Sequence, residues 1–209
     1  LDIEITHEGG RKRVSFTPTV RPIDTRSVEP HAEIAAMIAG YEAELDKELS
    51  VVIGKTETPL DTRSSLMRSQ ETAFGNFVCD AMREAVAADI CITNGGGVRA
   101  NRQYAAGSDI TRRIVLEELP FGNKTVLLEV SGKSIRETLE HGFTGDGTFP
   151  QVSGLVVRDD PARPAGQRVL SVLKDGAPLA DDQTYKLATN DYMARGGELV
   201  GLVVGERRA

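Results

Sequence analysis

The sequence predicts an α/β domain with a mixed sheet, preceded by a linker helix. Three observations carry that expectation. Short apolar runs alternate with amphipathic helical stretches through the middle of the chain, strand-like runs punctuated by Gly, Pro and Asp dominate its last part, and one long amphipathic segment stands before both. With 209 residues, 40% hydrophobic and 27% charged, the chain has material for one large core and an appendage.

The elements follow in order. "RKRVSFTPTV" reads as a strand, and "LDIEITHEGG" before it is its candidate partner. "RPIDTRSVEP" is polar and twice broken by proline, which marks a linker. Over residues 31–49, Ile34, Met37, Ile38, Tyr41 and Leu45 recur at helical spacing, and Ser27 or Glu29–Pro30 can start that helix. "SVVIGKTET" is a strand, "PLDTRSSLMRSQ" a loop, and "ETAFGNFVCDAMREAVAA" an amphipathic helix in spite of Gly75. "DICIT" is short and apolar, the pattern of a strand buried on both faces. "ITRRIVLEELP" holds a short helix, "NKTVLLEVS" is a strand, and "GKSIRETLEHGF" is a helix capped by Ser131. "FPQVSGLVVRDD", "QRVLSVLKDG" and "TYKLATND" read as strands between turns.

Charge and composition exclude some functions. A net charge of −6 is a poor match for nucleic acid, whose binders carry a basic face. No apolar run reaches membrane-spanning length. The chain opens without Met or a signal-peptide pattern and reads as cut from something longer. Cys79 and Cys91 form no CxxC and sit in apolar segments, so buried free thiols are expected. His7, His31 and His141 lie far apart and outside any H-x-H or D-x-H context, and the carboxylates form no ligand set. No metal site and no catalytic residue is therefore expected in this chain.

The stretch "NGGGVRA" (94–100) raises the functional question. It fits G-x-G-x-x-A after a strand, but the dinucleotide fingerprint also needs a helix opening at the loop, and "VRANRQYAAGSDI" has no helical periodicity. No Gly-Lys-Ser/Thr follows, so it is not a P-loop. A plain turn remains a reading. Against it stand two further glycine-rich ends, "LPFGN" and "NDYMARGGELV", which set Phe121 and Tyr192 beside glycines and an asparagine. Rings in such turns either join the core or clamp a flat ligand, and both readings stand on sequence alone.

Taken together, "IGKTETPLDTRSSLMRSQETAFGNFVCDAM", "ITNGGGVRA", "LPFGN", "FPQVSGL" and "NDYMARGGE" resemble successive motifs of the C-terminal domain of bacterial 5′-nucleotidases, in the family order and over about residues 29–204. The resemblance implies the mixed-sheet 5′-nucleotidase C-terminal fold and a substrate-binding role. It implies that Phe121 and Tyr192 clamp a base, that Asn94 and Asn123 bond its polar edge or nearby groups, and that Arg68 and Arg99 reach the ribose–phosphate side. Glu198 falls where the family's acidic residue bonds the ribose hydroxyls. The usual pattern there is Gly-Gly-Asp-Gly-aromatic, whereas this chain reads "GGELV".

By the same resemblance, two divalent metal ions and the catalytic dyad belong to a separate N-terminal metallophosphatase domain. Residues 1–28 would be the tail of that domain and linker, and 29–209 the substrate-binding domain with its connector helix. The implied ligand is a nucleotide or nucleoside and the implied location periplasmic or secreted, with this fragment inactive by itself. The alternatives are a related 2′,3′-cyclic phosphodiesterase, a sulfur-oxidation thiohydrolase, or a stand-alone binding module.

Overall fold

A computed structural model describes residues 2–145 and 147–197, and the chain divides into two compact units between Lys47 and Glu48. In the first unit, β1 (Asp2–Glu8) and β2 (Arg11–Thr17) form an antiparallel hairpin. Its two-residue turn is Gly9–Gly10, with φ of +56° and +78°, the left-handed backbone that a tight hairpin turn requires. Register pairs Ile3 with Phe16 and Ile5 with Val14. Cross-strand partners point the same way, so these four apolar residues share one face. All four are exposed, Phe16 at 70%. Helix α1 (Ala32–Leu49) starts in this unit and buries none of its residues.

The second unit holds the core. Its remaining elements are β3 (Val52–Lys55), β4 (Leu60–Asp61), α2 (Ser64–Met67), α3 (Ala73–Ala85), β5 (Ile90–Asn94), β6 (Gln103–Tyr104), β7 (Asp109–Thr111), α4 (Arg112–Glu118), β8 (Thr125–Ser131), α5 (Gly132–Gly142), β9 (Pro150–Ser153), β10 (Val156–Asp159), β11 (Val169–Lys174), β12 (Ala177–Pro178), β13 (Thr184–Asn190) and α6 (Asp191–Ala194). The central sheet runs β8-β13-β5-β9. Strands β13 and β5 are parallel, and β8 and β9 run antiparallel to them on either side, so the sheet is mixed as expected.

Alternation in the middle strands builds a core on both faces. Ile90, Ile92 and Leu187 pack with Ile135 and Leu139 of α5 on one face. Cys91 and Ala188 pack with Cys79 of α3 on the other. Both cysteines are buried free thiols. Every residue of β5 is buried, and each fully buried Ile or Leu contributes about 1.5–3 kcal/mol. The expected Ser131 cap is present: its Oγ accepts the Ser134 N–H at 3.2 Å.

The structure corrects the sequence reading in three places. The stretch 59–70, read as loop, contains β4 and the single turn α2. Strand β4 pairs with β6, Leu60 opposite Tyr104, and so distant a partner leaves no local signal. "FPQVSGLVVRDD" is two strands in different sheets, broken at Gly154, whose φ is +79° and where a Cβ would lie 2.4 Å from the Asp89 carbonyl oxygen. Helix α3 is shorter than expected and begins after Thr72, whose Oγ1 accepts the Gly75 N–H at 3.0 Å. Gly75 is no defect in that helix. A Cβ there would meet the side chain of buried Gln151, which donates to the carbonyls of Met67 (3.1 Å) and Gln70 (2.8 Å) and accepts the Thr72 N–H at 3.1 Å.

Candidate functional site

Strand polarity gathers the site. Parallel β5 and β13 deliver their C-terminal ends to the same edge of the sheet, and antiparallel β8 begins there, with Thr125 opposite Asn190. The loop before β8 carries Phe121 and Asn123, the turn after β5 carries the glycines and Arg99, and α6 after β13 carries Tyr192. Ligands of open α/β sheets bind at such an edge, beyond the carboxyl ends of parallel strands.

Hydrogen bonds lock these segments to one another. The Lys124 N–H donates to Asp191 Oδ1 at 3.0 Å, and the Asp191 N–H donates to the Lys124 carbonyl at 2.9 Å. That reciprocal pair joins the two ring-bearing segments. Buried Asn190 joins the third. Its Oδ1 caps α6 by accepting the Met193 N–H at 2.8 Å, while its Nδ2 donates to Thr93 Oγ1 (2.9 Å) and Asn94 Oδ1 (3.0 Å). The sequence reading misses Asn190 and Asp191, although both open the "NDYMARGGE" motif. Their signal is positional, since an Asn or Asp just past a strand and just before a short helical turn is a ready cap.

The glycines have different tasks. Gly95–Gly97 form one 3₁₀ turn, not the start of a helix, so the cradle seen in dinucleotide sites is not formed. A Cβ on Gly95 would lie 1.9 Å from the Met67 carbonyl oxygen, so this position is held to glycine by close approach of α2. Gly97 faces a cavity of about 410 Å³, whose lining also includes Asn94, Arg99, Phe121, Asn123 and Tyr192. That volume suits a small organic ligand. Phe121 and Tyr192 are 56% and 47% exposed, so neither is part of the core. The Arg99 guanidinium lies over the Phe121 ring, 5.1 Å from its centroid. A second recess of about 130 Å³ shares Asn94, Gly97, Phe121 and Asn123 and is also lined by the apolar Val78, Met82 and Leu119.

Five of the residues singled out from sequence, Asn94, Arg99, Phe121, Asn123 and Tyr192, thus line one cavity. Arg68 lines neither space; its Nη1 donates to the Gly147 carbonyl at 3.0 Å. Glu198 lies outside the described residues. Among the described residues, no group of three or more His, Cys, Asp or Glu could hold a metal ion, and no helix is long and apolar enough to cross a membrane.

Comparison with known proteins agrees with this architecture. The family model for the 5′-nucleotidase C-terminal domain matches residues 52–203. The trifunctional nucleotide phosphoesterase protein YfkN of Bacillus subtilis is 34% identical over 95% of this chain and 14% of its own length. A snake venom 5′-nucleotidase of Naja atra is 30% identical over 87% of this chain and 39% of its own. Among solved structures, the 5′-nucleotidase precursor of Thermus thermophilus superposes with a TM-score of 0.73 at 28% identity, covering 96% of this chain and 41% of that one. The chain therefore spans less than half the length of each of these relatives. With the family match extending from β3 to beyond α6, through every segment that lines the cavity, this chain belongs to the 5′-nucleotidase C-terminal domain family.

Proposed function

We propose that this chain is the nucleotide-recognition part of a metal-dependent 5′-nucleotidase that hydrolyses nucleotide phosphomonoesters. The observation that carries the reading is the pair of half-exposed rings, Phe121 and Tyr192, on segments tied together through Lys124 and Asp191 and facing one cavity. A base stacks between the rings. Asn94 and Asn123 meet its polar edge, and Arg99 faces the phosphate side, with a guanidinium fork suited to phosphate oxygens. Arg68 and Glu198 complete the ribose–phosphate contacts in the family pattern, Arg68 after leaving Gly147.

The hydrolytic chemistry belongs to an N-terminal metallophosphatase domain upstream, which holds the two divalent ions, and the protein works in the periplasm or outside the cell. Residues 1–28 form the end of that domain and its linker. The exposed apolar face of the hairpin supports this, because four apolar residues in register are what an adjoining domain would cover.

Calorimetry on three ligands tests the recognition. Phe121→Ala and Tyr192→Ala each weaken adenosine and AMP by about 1–3 kcal/mol, the usual worth of a base–aromatic stack, and leave ribose 5-phosphate nearly unchanged. Losses that extend equally to ribose 5-phosphate would sink the base-clamp reading.

A further inference from the structure

The peptide that carries Arg99 is held by one buried carboxylate. Glu118, the last residue of α4, is fully buried. Its backbone carbonyl accepts the Arg99 N–H at 2.9 Å, and its Oε2 accepts the Ala100 N–H at 3.2 Å. Its Oε1 accepts the hydroxyls of Thr62 (2.8 Å) and Tyr104 (2.7 Å). The same Thr62 hydroxyl accepts the Arg102 N–H at 2.9 Å, so the 99–102 segment is gripped at both ends. Three residues beyond Glu118 the chain reaches Phe121, the ring beneath the Arg99 guanidinium. Glu118 itself lines neither the cavity nor the recess.

A buried carboxylate is an expensive way to fill this space. Taking a charge out of water costs several kcal/mol even after relaxation, and an apolar side chain of the same size packs without that penalty. The Arg102 guanidinium is bonded to Glu117 at 2.6 Å. The donors to the carboxylate are two hydroxyls and an amide. Burial, and after it the Glu118 carboxylate, push the Tyr104 hydroxyl above its ordinary range, so it stays a donor at neutral pH. What the carboxylate supplies is geometry, since it accepts from the 99–102 segment on one side and from Thr62 and Tyr104 on the other.

We propose that Glu118 is a positioning residue for phosphate selection. It fixes the Arg99–Ala100 backbone so that the guanidinium sits at the cavity wall, poised over Phe121, without touching the ligand itself. The inference rests on the reading above that Arg99 meets the phosphate.

A double-mutant cycle with AMP and adenosine tests it by calorimetry. Arg99→Ala should weaken AMP by roughly tenfold or more, as expected for loss of a charge-assisted contact, and adenosine by no more than about twofold. Glu118→Ala should show the same selectivity at a smaller size, about five- to tenfold for AMP, and the double variant should be no weaker than Arg99→Ala alone, because coupled residues are not additive. Glu118→Gln should restore AMP affinity. Its amide oxygen can turn to the Ala100 N–H while its NH₂ donates to the two hydroxyls, which accept as well as donate. If Glu118→Ala does not fold, Glu118→Met, of similar length and apolar, carries the same cycle. Equal losses for AMP and adenosine in the Glu118 variants, or additive losses in the double variant, overturn the positioning role and leave the nucleotide reading standing. No selective loss in Arg99→Ala overturns the phosphate reading of Arg99, and this inference with it.

Discussion

Helices α5 and α1 have the same kind of pattern and opposite surroundings. Helix α5 buries Ile135, Thr138 and Leu139 along one face against the central sheet. Helix α1 carries Ile34, Met37, Ile38, Tyr41 and Leu45 at equivalent spacing, and every one of them is 50–63% exposed. The hairpin β1–β2 repeats the contrast with β5, since its apolar residues are in register and uncovered. Periodicity in a sequence dictates what an element can do with its own backbone and which face is apolar. Whether that face is buried depends on a partner. Within the described residues the second unit contains its partners; for the first, the proposed upstream domain would supply them.

A matched pair of truncations separates the two helices. Leu139→Ala in α5 should cost about 2–5 kcal/mol in urea unfolding, the usual range for emptying a filled core site. Ile38→Ala in α1 should stay within about 0.5 kcal/mol, as exposed substitutions do. Similar losses at both positions would mean that the apolar face of α1 is covered in solution.

Gly95→Ala should have the next largest effect and joins fold to site. A Cβ there meets the backbone oxygen of Met67, which no rotamer change relieves, so the β5 end or α2 must shift. A stability loss of about 1–3 kcal/mol is expected, together with weaker adenosine binding, because the shift moves Asn94 and Gly97. Gly107→Ala makes the control: that glycine has open space around it but a φ of +81°, so it should cost stability through backbone strain and leave binding alone. Binding lost equally in both would disconnect the Gly95 contact from the site.

These contrasts also show what is legible in the sequence. The fold class, the wholly buried β5 and the Ser131 cap follow from local pattern, and the structure has them. Strand β4 depends on Tyr104 lying opposite it in space, so no local signal announces it, whereas Gly154 is visible as a breaker inside "PQVSGLVV" and only its closeness to the Asp89 carbonyl is hidden from the sequence. The same holds at the site. Glycine-rich ends draw attention to Asn94, Arg99, Phe121, Asn123 and Tyr192, and five residues scattered over three segments share a cavity because β5, β13 and β8 meet at one edge. Glu118 is invisible because a glutamate in "VLEELP" looks like a solvated helix residue. It is the pairing of residues 60–62 with 102–104 that brings the Thr62 and Tyr104 hydroxyls to its carboxylate.

The smallest effect is expected at Tyr192→Phe. On the proposed clamp the stacking face survives without the hydroxyl, so adenosine affinity should change by less than about twofold, against roughly tenfold for losing a whole ring. A large loss would assign the hydroxyl a direct polar contact and weaken the view of Tyr192 as one wall of a clamp.

A crystal structure of this chain with AMP decides whether the cavity is a base slot between Phe121 and Tyr192. The purine should lie between the two rings, with the Arg99 guanidinium drawn off the Phe121 face toward the phosphate and Asn94 and Asn123 along the base edge. A purine bound elsewhere on the chain, or Arg99 still stacked on Phe121 with the slot empty at saturating AMP, would contradict it.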